Sequence, residues 1–250
     1  MKQVLFVCSG SNYPQGAFNF LRSLQHEELL STTGLFFHQD GDKDTTTSKK
    51  IFSDQCEQHH ILHSIHDNDG PWDKTAFAKE TRFSDLVLLS SQLFCNGLQE
   101  RQPNTFLSEA LHYAECPVLV VPEDFSPSNH LFIAYDGTRE SIFAIKQFSY
   151  LFPHLTDLPT EVVYVNEETS NGIPELEHLR RYSRRHFSCM GFSKLHFKAA
   201  EYFATWIGER QHVMLISGSY GRSPFSYATK PSFAEEVLRD HRLPVFVAHP

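Results

Sequence analysis

Leu131-Phe132-Ile133-Ala134-Tyr135-Asp136-Gly137-Thr138 repeats, 127 residues later, the pattern of Val4-Leu5-Phe6-Val7-Cys8-Ser9-Gly10-Ser11. In both stretches an apolar run stops abruptly at a polar loop that contains glycine. Three further pairs of segments share the offset of 127: residues 33–38 with 160–165, 85–90 with 212–217, and 117–121 with 244–248. Chance readily supplies one such match. Four in register, each on a short apolar run, point to an internal duplication, a tandem repeat of one folding unit.

Each run is short, rich in β-branched and aromatic residues, and lacks alternation. That pattern suits strands buried on both faces of a parallel sheet. A third strand is predicted near residues 61–65 in the first copy and 195–197 in the second. These two do not keep the offset, which implies compensating insertions in mid-copy. Helical patterns fall at residues 17–26, 74–82 and 108–114, and in the second copy at 141–151, 175–190, 199–210 and 233–239. Strands alternating with helices predict an α/β fold: two Rossmann-like domains, each a five-stranded mainly parallel sheet with helices on both faces. The domains are expected at 1–124 and 129–250, joined by a linker over 123–129 in which Ser126 and Pro127 break regular structure.

Charge is divided unevenly. Through Pro127 the chain holds nine basic and 17 acidic residues; beyond it there are 13 of each. An acidic first half repels nucleic acid and anionic membranes, so a polyphosphate ligand is expected in the second domain only. The five cysteines form no CxxC pair or spaced framework. Their pattern, with no signal-peptide-like start and no run of about 20 apolar residues, predicts a cytoplasmic chain. The 22 phenylalanines are expected to fill cores.

The richest chemical pattern lies near the C-terminus. Ser217-Gly218-Ser219-Tyr220-Gly221 is followed by Pro231-Ser232, Glu235-Glu236-Val237-Leu238 and Leu243-Pro244-Val245. Strand, glycine loop, helix and strand is the order a phosphate cradle needs. Glycine lets backbone approach an anion, and the N–H groups of loop and helix start point at it. Ser232 stands where a hydroxyl could cap the last helix or hold a phosphate. The same residues also serve ordinary structure: Gly218 and Gly221 a tight turn, Pro231 the first turn of a helix, Asp136-Gly137 a turn.

This stretch resembles the universal stress protein family, whose ATP-binding members carry G-x2-G-x9-G-(S/T) after the fourth strand. Here the spacing reads Gly218-x2-Gly221-x9-Pro231-Ser232, with proline in place of the third glycine. Asp136-Gly137-Thr138 is similar to the family's aspartate loop after the first strand. Val165 matches the position that borders adenine. Cys116-Pro117-Val118-Leu119-Val120-Val121 and Leu243-Pro244-Val245-Phe246-Val247 resemble the family's closing strand. The resemblance implies the adenine nucleotide α-hydrolase-like variant of the Rossmann-like fold. It implies a regulatory stress-response module with ATP or another adenine nucleotide held by Asp136, Gly137, Val165, Gly218, Ser219, Gly221 and Ser232. It also implies pairing of edge strands, here as an internal pseudo-dimer, and homodimers are compatible with it. The alternative is a nucleotide-free scaffold of the same fold that binds a protein partner. No catalytic residue and no metal ligand are predicted, so at most slow, incidental ATP hydrolysis is expected.

Shifted back by 127, the motif falls on Ser91, Phe94, Asn104 and Thr105, with Ser9 for Asp136 and His38 for Val165. The first copy is therefore expected to have lost the cradle.

Three other patterns carry chemistry-bearing residues. Val4 to Asn12 resembles the start of low-molecular-weight tyrosine phosphatases, but their C-x5-R nucleophile loop needs arginine at residue 14, which is Pro14. His59, His60, His63 and His66 cluster, but on a loop and strand rather than one helix face, which does not suit a metal. Arg180, Arg181, Arg184 and Arg185 form a basic helix face expected to pair with Glu175 and Glu177.

Overall fold

The computed structural model describes residues 1–10, 12–38, 44–66, 70–94, 105–165, 172–195, 212–218, 238 and 242–250. The chain divides into two compact units, Met1–Phe125 and Ser126–Pro250.

The first unit runs β1 (Lys2–Ser9), α1 (Gln15–Gln25), β2 (Leu30–Phe37), α2 (Thr46–Gln58), β3 (Leu62–His66), α3 (Lys74–Thr81), β4 (Leu86–Ser90), α4 (Thr105–Tyr113) and β5 (Val118–Val121). A short 3-10 turn, Ser91–Phe94, follows β4. The strands are all parallel, in the order β3-β2-β1-β4-β5. Right-handed crossovers then put α1 and α2 on one face and α3 and α4 on the other.

Phe36 and Phe37 show why β2 is apolar throughout. Neighbouring strand residues point to opposite faces. Phe36 meets Phe52 of α2 edge-on at 5.8 Å, while Phe37 lies 4.5 Å from Phe106 of α4 and 5.2 Å from Trp72. Phe6 stacks on Phe52 at 5.2 Å on the first of these faces. These phenylalanines fill both layers, whereas Phe83, against expectation, is 81% exposed.

In the second unit, β6 (His130–Tyr135), α5 (Arg139–Leu151), β7 (Thr160–Val165), α6 (Leu176–His186), β8 (Met190–Leu195), β9 (Val213–Ser217) and β10 (Val245–Val247) repeat the plan, with a 3-10 turn at Pro153–Asp157. The strands are again all parallel, in the order β8-β7-β6-β9-β10. Phe148 and Phe152 of the α5 end pack against Phe246 at 5.3 and 5.8 Å. Val4 lies opposite Thr32 and Leu86, and Leu131 opposite Thr160 and Met214, so the strand registers follow the offset of 127 to within one residue.

Three sequence expectations need correction. The third strand of the second unit is Met190–Leu195, earlier than residues 195–197. Thr33 lies opposite Ser64 and Thr160 opposite Met190, so the middle of the repeat keeps its offset within a residue and carries no large insertion between β2 and β3. The helix expected over 175–190 stops at His186, because Phe187 turns extended (φ −128°, ψ 135°) and buries its ring. Helix α2 escaped the sequence reading. Its buried face is a single narrow file, Ser48, Phe52 and Cys56, on an otherwise polar helix. The patterns at 199–210 and 233–239 lie outside the described residues, apart from the helical Leu238.

Candidate functional site

β6 and β9 are neighbours in the second unit, with Ala134 opposite Ser217. The chain leaves β6 for α5 and β7 on one side, and reaches β10 on the other. The gap between β6 and β9 is therefore the point where strand order reverses, where open α/β sheets hold ligands beyond the strand ends. Asp136 and Gly218 are the first residues past these two strands, and Val165 ends the next strand, β7. The fold brings these three predicted residues to one edge. Ser219, Gly221 and Ser232 lie outside the described residues, as does the side chain of Val165.

The loop after β6 is tightly built. Asp136 Oδ1 accepts hydrogen bonds from Thr138 N at 3.0 Å and Thr138 Oγ1 at 2.6 Å. Thr138 then caps α5, its Oγ1 accepting from Ser141 N at 3.3 Å. Between them Gly137 takes φ +83°, a conformation that side chains disfavour. A Cβ there would also stand 3.1 Å from Pro174 Cγ. Tyr135 donates to the Pro174 carbonyl at 3.1 Å, tying the start of α6 over this loop. Burial, reinforced by the charges of Glu175 and Asp136, pushes the Tyr135 hydroxyl up to about 12, so it stays protonated and donating. The Tyr135–Pro174 tie joins residues far apart in sequence and carried no local signal.

Gly218 has a different neighbour. A Cβ on it would overlap the backbone of Glu140 and Ser141. The glycine lets the first turn of α5 rest on the end of β9. Glu140, in that turn, has its carboxyl held below the usual range by the hydrogen bond from Arg139. With Asp136 and Glu175 nearby in the fold, the described part of this edge is acidic. Such a surface suits sugar hydroxyls better than phosphates.

The first unit has another arrangement. Glu123, just beyond β5, accepts from Ser90 Oγ at 2.6 Å and from Gly16 N in the first turn of α1 at 3.3 Å. The negative charge at this helix start is the protein's own carboxylate. Gly16 is glycine because a Cβ would overlap the Pro122 carbonyl. Ser91, at the position of Gly218, is buried in the 3-10 turn.

Cys8 is buried and its thiol donates to the Asn12 carbonyl at 3.4 Å, with no arginine in the following loop to hold a phosphate. His59 ends α2 and His63 and His66 lie on β3. Among the described residues no group of three or more His, Cys, Asp or Glu side chains could hold a metal ion.

Each unit is thus a doubly wound α/β sheet with its loops gathered at a reversal point, a fold shared with solved universal stress proteins. The chain is similar to a universal stress protein from Archaeoglobus fulgidus (TM-score 0.70, 12% identity, covering 98% of this chain and 96% of that one). It is similar to a protein of unknown function from Pseudomonas aeruginosa PAO1 (0.69, 16%, 100% and 93%). A putative universal stress protein from Pseudomonas aeruginosa UCBPP-PA14 follows (0.66, 15%, 100% and 94%). At these identities the likeness is one of fold. No protein-family model and no curated protein matches the chain significantly. Among the described residues no helix is long and apolar enough to cross a membrane.

Proposed function

We propose that this chain is a universal stress protein-like regulatory module that binds an adenine nucleotide at the second unit alone. The observation that carries this reading is the placement of Asp136 and Gly218 past adjacent strands at the reversal point, with Val165 one strand away. Asp136, Gly137 and Val165 would border ribose and adenine, and Ser219, Gly221 and Ser232 would meet the phosphates. The acidity of the described edge agrees with ribose hydroxyls on the Asp136 side. In the first unit Glu123 already supplies the anion at the start of α1, which opposes a second nucleotide there. A cytoplasmic setting is part of the proposal, supported by free Cys8, Cys56, Cys116 and Cys189.

Calorimetry of the full chain with magnesium and ATP tests the reading. Heat that disappears in Gly221→Val supports it; no heat at millimolar ATP rejects it. The nucleotide-free scaffold is the reading that rejection would leave. One observation favours it: the bare backbone of Gly218 is already accounted for by its packing on Glu140.

A further inference from the structure

Helices α5 and α6 lie on the same side of the second sheet, and a pocket of about 370 Å³ lies between them. That volume falls within the roughly 300–1,000 Å³ usual for small-molecule sites. Ile142, Ile145 and Leu179 supply its apolar surface, and Lys146, Arg181 and Arg185 its charge. The spacing is what two facing helices require. Residues 142, 145 and 146 share one face of α5, and 181, 182 and 185 share one face of α6.

The two kinds of residue are distributed by depth. Ile145 and Leu179 are buried, Ile142 is half-buried, and Lys146, Arg181 and Arg185 are exposed. The basic face of α6 was expected to pair with Glu175 and Glu177. Among the described residues, Arg180 does so, meeting Glu177 at 2.8 Å, and the pocket cations lie outside that pair. Among the described lining residues, Glu175, at one end, is one carboxylate against three cations. The wall is fixed: Tyr182 shares a 2.8 Å hydrogen bond with Ser149 of α5 and stacks on His186 at 4.2 Å. Burial raises the Tyr182 hydroxyl to about 12, so no phenolate opposes an incoming anion.

We infer that this pocket binds a small amphiphilic anion, an apolar body seated on Ile142, Ile145 and Leu179 with an acidic head among Lys146, Arg181 and Arg185. Neither half of such a ligand suffices alone. Exposed cations hold a hydrated anion weakly, and a short apolar floor holds a neutral chain weakly. The pocket adjoins the proposed nucleotide edge at Glu175, but its apolar floor and its three cations belong to neither Asp136 nor Gly218, and its test does not depend on that site.

Decanoate below its micelle-forming concentration is the probe, titrated calorimetrically into the full chain. Decanoate is expected to bind about tenfold or more tightly than decanol, hexanoate or inorganic phosphate. Arg181→Glu with Arg185→Glu is expected to weaken decanoate at least about tenfold, while Arg184→Glu, outside the pocket, leaves it unchanged. Because Arg184 and Arg185 both stand in the last turn of α6, each reversal is expected to lower the melting temperature slightly and to a similar extent, and the substitutions should leave any ATP binding intact. Absence of decanoate binding overturns the inference. So does equal binding of decanol, hexanoate or phosphate, or binding indifferent to the double charge reversal.

Discussion

Gly218 stands against the backbone of Glu140 so closely that no side chain fits between them. The contact couples the end of β9 to the first turn of α5. Gly218→Ala must therefore displace the helix, since the atom in the way is backbone and not a yielding side chain. The expected cost is about 1–3 kcal/mol, as for other overpacked sites. Urea denaturation measures it. A loss below about 0.5 kcal/mol would show that the helix moves aside freely.

Glu123 is the counterpart in the first unit. Its two carboxylate oxygens serve Ser90 Oγ and Gly16 N. Glu123→Ala is expected to destabilise the chain by about 2 kcal/mol, because a buried hydroxyl and a helix-start N–H lose a charged acceptor together. Glu123→Gln, which keeps an acceptor oxygen, should cost roughly half of that. Equal losses in the two variants would mean that packing, not the acceptor, matters here.

Alkaline conditions should weaken the fold. Burial raises Tyr135 and Tyr182 to about 12, and raises Tyr13 further. The unfolded chain releases these protons near pH 10, its ordinary tyrosine value, while the folded chain retains them. Stability contributed by the neutral phenols is then complete below about pH 10 and lost as pH climbs toward 12. Tyrosinate absorbance of the native chain should accordingly show at least three of its nine tyrosines ionising late. A single transition near pH 10 with an undiminished urea midpoint would contradict this.

Thiol chemistry should divide the same way. Burial pushes Cys56 up to about 12, and burial with the charges of Asp85 and Glu115 pushes the half-buried Cys116 there too. Cys189 is exposed. Because the thiolate is the reactive form, iodoacetamide is expected to label Cys189 roughly tenfold or more faster than Cys56 or Cys116 in the native chain. Peptide mapping of a time course reads this directly, and equal labelling would mean that native burial does not protect these thiols.

What could be read from the sequence was whatever repeats or is apolar without interruption. β4 and β9 are uninterrupted runs, and their bounds, Leu86–Ser90 and Val213–Ser217, keep the offset of 127 without adjustment. β8, Met190–Leu195, is only half-buried along its length, includes Gly191, and gave no such run. Helix α2 was invisible because its buried residues, Ser48, Phe52 and Cys56, form one narrow file with too few apolar positions to show helical periodicity. At the candidate site, Asp136-Gly137 could be read because the turn is local, and its +83° φ makes the glycine necessary. The Tyr135–Pro174 tie and the packing of Gly218 on Glu140 are long-range contacts that no spacing rule announces. The second of these altered the meaning of a residue the motif had singled out, giving Gly218 a packing role beside any ligand role.

Both units need a bare backbone where the first helix meets a strand end, yet they place it differently. In one the glycine is on the helix, Gly16; in the other it is on the strand side, Gly218. Gly16 meets the Pro122 carbonyl beyond β5, whereas Gly218 follows β9, the counterpart of β4, so the two contacts are made at different strands of the shared plan. Helix α1 moved alone into the second unit would leave behind Pro122 beyond β5, and α5 moved into the first would leave behind Gly218. Each duplicated half thus carries its own helix-to-strand fit, and a single helix moved between them would lose its close-packed neighbour.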